Sequence, residues 1–266
     1  MLKTEMINPK TTHIDKMTTS QMVSVMCEEN YNAVKAVENA SESIAEAIEA
    51  IVNSFKNGGR LFFIGAGTSG RLGILDAAEC PPTFGVDYGM VNGIIAGGEG
   101  CIVRASEAAE DNEENGAADI ENNGVKAGDV VVGVSVAGGA AYVVGALKKA
   151  RSLGAVTVSL SSNQGCKIEQ ESDISIFTDT GAEVITGSTR LKAGTAHKMV
   201  LNMLTTCSMV KMGHVYENMM INLKPSNIKL RKRMIGIVTE ICGCSEAEAQ
   251  ELLENNEWSI RKAVEK

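Results

Sequence analysis

The chain has 266 residues, of which 44% are hydrophobic and 22% charged, which suits one full globular domain with smaller appendages. Its net charge of -8 argues against nucleic acid as the main partner, because phosphate backbones are bound by basic surfaces. No segment approaches the roughly 18 apolar residues of a membrane span, and the first residues lack the apolar core of a secretory signal. We therefore expect a cytoplasmic protein that binds neither nucleic acid nor membrane.

The N-terminal part of the chain is predicted to be an arm followed by helices. Residues 1–17 are expected to be extended. The following stretch, 18–57, has apolar residues at helical spacing, and Thr18 is suited to cap its start. Asn39 and Ser41 weaken its middle, which favours two helices over one.

Five short apolar segments follow, separated by helical stretches. They read RLFFIG, MVNGIIAGG, DVVVGVSV, AVTVSL and DISIFT. Strands that are apolar throughout and alternate with helices indicate a parallel sheet covered on both faces. One helix is expected over CIVRASEAAEDNEENG, and a long helix over about residues 188–212.

The tail changes character from Asn218 onward. It becomes charged and helical, with Ser245 suited to cap a helix, which predicts an appendage of about three helices. The predicted fold is therefore α/β: a three-layer α/β/α sandwich with a mostly parallel five-stranded sheet, N-terminal helices and a small C-terminal helical appendage.

Three loops are expected to meet at one edge of the sheet, because parallel sheets bind ligands at the carboxyl ends of their strands. They are GAGTSGR (65–71), VAGGAA (136–141) and TGSTR (186–190). Helix N-termini attract phosphate, and hydroxyl side chains add donors, although any one such loop is equally well a tight turn. The candidate phosphate ligands are Gly67, Thr68, Ser69, Gly138, Gly139, Ser188, Thr189 and Lys192. Lys192 contacts either an anion or an acidic side chain of the protein.

The first loop does not favour a dinucleotide. GAGTSG fits the pattern G-x-G-x-x-G, but the acidic residue expected about twenty positions later is missing. Hydroxyls on the loop suit a compact phosphomonoester better. The seven scattered cysteines and three distant histidines have no metal-site spacing, so we expect reduced thiols, no metal and no cofactor.

Two carboxylates are candidates for proton transfer. Glu79 lies near the end of the helix that begins at Ser69, beside Pro81 and Pro82, where partial desolvation would suit a general acid. Glu110 lies in the acidic stretch SEAAEDN, which on its own is typical of a solvated helix face.

Longer motifs identify a family. GGRLFFIGAGTSGRLGILDAAECPPTFGV, EVITGSTRLKAGTAHKMVLNMLTT and SNIKLRKR closely resemble the N-acetylmuramic acid 6-phosphate etherases of the sugar isomerase (SIS) fold group. The similarity runs from TEMINPKTTHIDKM through the tail. It implies an arm with helices over 1–52, a SIS sugar-phosphate-binding domain over 53–217 and an appendage over 218–266.

The resemblance also implies an activity. An etherase of this family cleaves the lactyl ether of N-acetylmuramic acid 6-phosphate to N-acetylglucosamine 6-phosphate and D-lactate, as a metal-free homodimer in cell-wall recycling. The family's proton-donating glutamate lies in its ECPP motif, here Glu79, and its second active-site glutamate lies in AED, here Glu110. An amino-sugar phosphate is the expected small-molecule partner.

One loop departs from the family pattern. Members resemble ASGRTPYV after the third strand, whereas this chain has Ala137, Gly139 and Ala140 in place of the serine, arginine and threonine. Lost charge-assisted hydrogen bonds to phosphate would each cost roughly 1.5–3 kcal/mol. Two alternatives therefore stay open: a non-catalytic sugar-phosphate regulator of the same fold, and a lyase or isomerase acting on another amino-sugar phosphate.

Overall fold

A five-stranded parallel sheet organises the protein, which is described by a computed structural model over residues 2–104 and 106–264. The spatial strand order is β2-β1-β3-β4-β5, and every neighbouring pair is parallel. The strands are β1 (Leu61–Gly65), β2 (Val91–Ile95), β3 (Val130–Val134), β4 (Val156–Ser161) and β5 (Ile174–Phe177). All five match the apolar segments of the sequence, and the predicted fold class is confirmed.

Helices cover both faces of the sheet, because successive side chains of each strand point to opposite sides. In β1, Leu61 and Phe63 pack into one apolar core, while Phe62 and Ile64 pack into the other. The first core is closed by α1 (Thr19–Asn39), α2 (Ser41–Lys56), α3 (Gly67–Phe84) and α8 (Lys192–Lys211). The second is closed mainly by α5 (Glu113–Asn122), α6 (Ala141–Ser152) and α7 (Lys167–Gln170). Fully burying each Phe contributes about 1.5–3 kcal/mol.

The N-terminal helices form as the sequence indicates. Thr18 caps α1 through a reciprocal box with Gln21, and Ala40 separates α1 from α2. The arm differs from the expectation of an extended segment: within residues 2–17 the chain forms three single-turn 3-10 helices. Asn8, which caps the middle one through the N–H of Lys10, and Pro9, which pre-sets its backbone angle, favour such a turn.

Two other helical predictions need correction. The stretch after β2 is not one helix, but α4 (Gly100–Val103), a 3-10 turn (Glu107–Glu110) and α5. Asn112 caps α5 through the N–H of Asn115, so the acidic stretch contains a helix start of its own. The long helix α8 begins at Lys192, which leaves Ser188 and Thr189 in the turn that precedes it.

The tail forms three helices after a short hairpin of β6 (Val215–Tyr216) and β7 (Met219–Met220). They are α9 (Ile228–Cys242), α10 (Glu246–Asn255) and α11 (Ile260–Val264). Ser245 caps α10 in a box with Glu248, and the helices share a small apolar core. Within the described part of the chain, every helix is too short or too polar to cross a bilayer.

Candidate functional site

A cavity of about 300 Å³ opens at the carboxyl edge of β1 and β3. It lies where the polypeptide leaves these strands for α3 and α6, so it is bounded by backbone as much as by side chains. Residues from five separate segments line it: Glu5, Ala66, Gly67, Thr68, Ser69, Glu110, Val134, Ser135, Val136, Ala137, Ala140, Gly187 and Thr189.

The N-terminus of α3 lines this cavity, and its first backbone N–H groups are available as hydrogen-bond donors. Its N-cap residue, Ala66, offers no side-chain acceptor, so the first backbone N–H groups of the helix have no partner within the helix. Gly67 takes a left-handed φ of +53° at the turn, which only glycine adopts freely. Thr68 and Ser69 follow and line the cavity with it. Open N–H groups, two hydroxyls and the helix dipole together suit a phosphate.

The N-terminus of α6 is open over its first two residues only, because the N–H of the third, Val143, donates to the carbonyl of Ala140 at 3.0 Å. Ala140 caps it without a side-chain hydrogen bond, and the preceding loop lines the cavity with Val136 and Ala137. Gly138, predicted as a phosphate ligand, donates its N–H to Ser135 inside the loop, at 3.0 Å from O and 3.2 Å from Oγ. This N–H is therefore engaged in the turn. Gly139 is exposed and, among the described residues, does not line the cavity.

The N-terminus of α8 is closed by the protein itself. Glu183 is fully buried, and its Oε1 and Oε2 accept the backbone N–H groups of Ala193 (2.9 Å) and Lys192 (3.3 Å). Burial raises the pKa of Glu183, while the two N–H groups and the charge of Lys192 oppose that rise. Thr189 reaches the cavity from the turn before the helix, whereas Ser188 is not among the described residues that line it.

Lys192 is not among the described residues that line the cavity, and its side chain forms a buried ion pair. Its Nζ lies 2.5 Å from Oε2 of Glu29, and both side chains are almost completely buried. Lys10 and Asn8 of the arm contact the same carboxylate at 3.1 and 2.8 Å. Burial alone raises the pKa of Glu29, but the bonds from Lys192, Lys10 and Asn8 outweigh burial and lower it. Of the two readings of Lys192, the geometry favours pairing with an acidic side chain.

The two candidate acids occupy different places. Glu110 lines the cavity at the end of its 3-10 turn. Glu79 is exposed on α3, ten residues beyond Ser69, which is about 15 Å along the helix axis. The helix continues through Pro81 and Pro82 to Phe84, so these residues do not fold back to bury Glu79 as expected. Within one copy of the chain, Glu79 and Glu110 do not share this cavity.

Two polar residues of the cavity lining, Ser135 and Glu5, were not predicted from the sequence. Ser135 follows β3 directly, and the position at the end of a central strand was its only signal. Glu5 comes from the arm, where its only signal was membership of the motif TEMINP. His197 of α8 is not among the described residues that line the cavity: it is fully buried, with Nε2 3.2 Å from Ser162 Oγ, and burial lowers its pKa to about 3.

The cavity has an unusual charge for an anion site. Of the described residues that line it, none is a lysine or arginine, and two are glutamates. An anion would therefore depend on backbone N–H groups, helix dipoles and the hydroxyls of Thr68, Ser69, Ser135 and Thr189. The described residues also contain no group of three or more His, Cys, Asp or Glu side chains placed to hold a metal ion.

Family models match three parts of the chain. Residues 43–151 match the N-terminal SIS domain of glucokinase regulatory protein, and residues 110–207 match the SIS domain. Residues 217–263 match the C-terminal lid domain of glucokinase regulatory protein. Among solved structures, a phosphoheptose isomerase from Francisella tularensis superposes with a TM-score of 0.58 at 18% identity, covering 73% of this chain and 100% of that one. Likeness at that identity establishes the fold alone.

Full-length relatives are much more similar. The N-acetylmuramic acid 6-phosphate etherase of Actinobacillus succinogenes is 48% identical over 261 residues, covering 98% of this chain and 86% of that protein. The etherase of the same name from Halalkalibacterium halodurans is 44% identical over 290 residues, covering 99% and 97%. Identity at this level over nearly the whole of both chains establishes membership: the chain belongs to the N-acetylmuramic acid 6-phosphate etherase family.

Proposed function

We propose that the protein cleaves the D-lactyl ether of N-acetylmuramic acid 6-phosphate, giving N-acetylglucosamine 6-phosphate and D-lactate. The observation that carries the proposal is the cavity in which the open N-termini of α3 and α6 face Glu110. The phosphate would lie against these N-termini, within reach of Thr68, Ser69 and Thr189. The sugar would then extend toward Glu110.

The reaction proceeds by elimination followed by addition of water. With the sugar ring open, the aldehyde at C1 makes the C2 proton acidic, and Glu110 removes it. The electron pair of the C2–H bond forms the C2=C3 double bond as the C3–O bond breaks, and a general acid protonates the departing lactate oxygen. Water then adds its oxygen to C3 and a proton to C2. Each well-placed proton transfer contributes about 10²–10⁴ in rate.

We assign the general acid to Glu79 of a second copy of the chain. Glu79 lies about 15 Å along α3 from Ser69, beyond the reach of one side chain into its own cavity. It is exposed on α3, which packs beside α8, and Leu75, one helical turn before it on the same face, is an apolar side chain that is 46% exposed. A second copy covering this apolar surface would form a homodimer and bring Glu79 to the partner's cavity.

Release of D-lactate from N-acetylmuramic acid 6-phosphate tests the function. The purified protein should release it, and Glu110→Gln should release it at least about 100-fold more slowly. Glu114→Gln is the matched control, because Glu114 is exposed on α5 and lies outside the cavity lining. Absence of lactate from the wild-type protein would overturn the proposal.

Mixing two inactive variants tests the shared site. Glu79→Gln and Glu110→Gln chains, unfolded and refolded together in equal amounts, should regain about a quarter of wild-type activity. Half of the dimers are then mixed, and each of these has one intact site of two. No recovery on mixing would contradict the assignment of Glu79 to the partner while leaving the etherase activity itself in place.

A non-catalytic regulator is the second candidate, and the loop after β3 favours it. This loop contributes Val136, Ala137 and Ala140 to the cavity, none of which has a side-chain donor for phosphate. Saturable binding of N-acetylglucosamine 6-phosphate without any release of lactate would support this candidate over the etherase.

A further inference from the structure

We propose that Glu5, from the N-terminal arm, is a substrate-contacting residue that accepts a hydrogen bond from the sugar part of the bound sugar phosphate. The inference deepens the proposed function and rests on the same cavity. It adds a specificity residue to that cavity, delivered by a segment that precedes the first long helix.

The arm is anchored on both sides of Glu5. Before it, the N–H of Lys3 donates to Asn163 Oδ1 at 2.9 Å, and Thr4, fully buried, accepts from Asn163 Nδ2 at 3.1 Å. The same Nδ2 donates to the carbonyl of Val136, in a loop that lines the cavity. After it, Asn8 donates to the buried Glu29 carboxylate at 2.8 Å. These contacts fix Glu5 relative to the sheet edge.

The Glu5 carboxylate lies against Gly187 at the cavity wall. An ideal Cβ built on Gly187 would lie 3.0 Å from Glu5 Oε2, so the glycine leaves room for the carboxylate. The described residues form no hydrogen bond or ion pair with this carboxylate, in contrast to Lys3 beside it, whose Nζ contacts Asp179 at 2.5 Å. Glu5 is therefore held in position while its acceptor oxygens remain available.

The charge of the cavity indicates which part of the ligand Glu5 contacts. A carboxylate repels a phosphate, so the phosphate belongs at the open N-termini of α3 and α6. The sugar part offers what a carboxylate accepts, namely hydroxyl and amide N–H donors, and such charge-assisted bonds are the strong ones. Glu5 thus selects for a donor-bearing sugar over a bare anion.

Calorimetric binding of two probes to Glu5→Gln tests the proposal. Affinity for N-acetylglucosamine 6-phosphate should fall about 10-fold or more, because a charge-assisted hydrogen bond is lost. Affinity for inorganic phosphate should stay the same or rise, because a repelling charge is removed from the cavity. Asp15→Asn is the matched control, an exposed carboxylate of the same arm outside the cavity lining, and should change neither affinity.

Two results would overturn the proposal. One is Glu5→Gln behaving like Asp15→Asn. The other is equal weakening of both probes, which would make the arm merely structural. Glu5→Asp keeps the charge but withdraws the carboxylate by one methylene, and it should give a smaller loss that is again confined to the sugar phosphate. Failure of the wild-type protein to release lactate would overturn the proposed function, but this binding comparison would still decide the role of Glu5.

Discussion

The N-termini of α3 and α8 have similar sequences and different roles. GTSG begins α3, and the turn GSTR precedes α8, both rich in small and hydroxylated residues. At α3 no side chain of residues 2–104 or 106–264 accepts the first N–H groups, whereas at α8 the buried Glu183 accepts two of them. A hydroxylated helix start is therefore an anion site only where the protein has not already supplied the anion.

Removing the cap of α8 should have the largest effect on stability. Glu183→Ala leaves the N–H groups of Lys192 and Ala193 unpaired in a buried place and should lower the free energy of unfolding by about 2 kcal/mol or more. Glu183→Gln keeps one acceptor oxygen and should cost less. Urea denaturation followed by circular dichroism measures both, and an unchanged midpoint for Glu183→Ala would contradict the role of the cap.

Alanine substitutions at one glycine in each helix compare how tightly the starts of α3 and α8 are packed. A Cβ at Gly70 in α3 would lie 2.6 Å from the carbonyl oxygen of Gly65, so Gly70→Ala should cost about 1–3 kcal/mol of stability. A Cβ at Gly194 in α8 would lie 3.4 Å from the carbonyl of Thr189, an ordinary contact, so Gly194→Ala should change stability by less than about 1 kcal/mol. The same urea titration measures both variants, and equal losses of stability would show that the two helix starts are packed equally tightly.

Removing a hydroxyl at the start of α3 should weaken sugar-phosphate binding, whereas removing one before α8 should not. Thr68 lines the cavity at the open helix, so Thr68→Val should weaken binding of N-acetylglucosamine 6-phosphate about 10-fold. Ser188 lies in the turn beside the capped helix, so Ser188→Ala should change affinity by less than about twofold. Isothermal titration calorimetry measures both. A larger loss for Ser188→Ala would place the phosphate nearer α8.

Titration of the Glu183 carboxyl group should make a small contribution to the pH dependence of stability. Because burial raises the pKa of Glu183 above the ordinary 4.5, the folded state holds this proton more tightly than the unfolded state. Stability relative to the non-titrating Glu183→Gln should therefore fall as pH rises from 4.5 to the raised pKa, and then level off. Unfolding titrations of both proteins across this window measure the difference, and a rise with pH would contradict the burial of the carboxylate.

Local patterns predicted the strands and most helix starts correctly. The short continuous apolar run LFFIG, which ends at a glycine turn, predicts a strand buried on both faces, and β1 is buried throughout. Thr18 and Ser245 cap their helices through neighbours three positions away, so their contacts are visible in the sequence. The cavity-forming loop GAGTSGR was identified for the same reason, because strand, glycine turn and helix start lie within one short segment.

Contacts between residues far apart in the chain could not be predicted from local sequence patterns. Lys192 pairs with Glu29, 163 positions away, and no spacing rule links two such residues. Glu183 likewise caps α8 from beyond the turn, so the loop TGSTR has the sequence of an anion site without its open donors. Glu5 enters the cavity only because Asn163 and Glu29 hold the arm in place.

The anchoring of the arm has a consequence for the time course of folding. Lys3 contacts Asn163 and Asp179 across 160 and 176 positions, so Glu5 reaches its place only after β4 and β5 have joined the sheet. Closing loops of this length slows the formation of the contacts that depend on them. During renaturation, helical circular dichroism should therefore return before selective affinity for the sugar phosphate does.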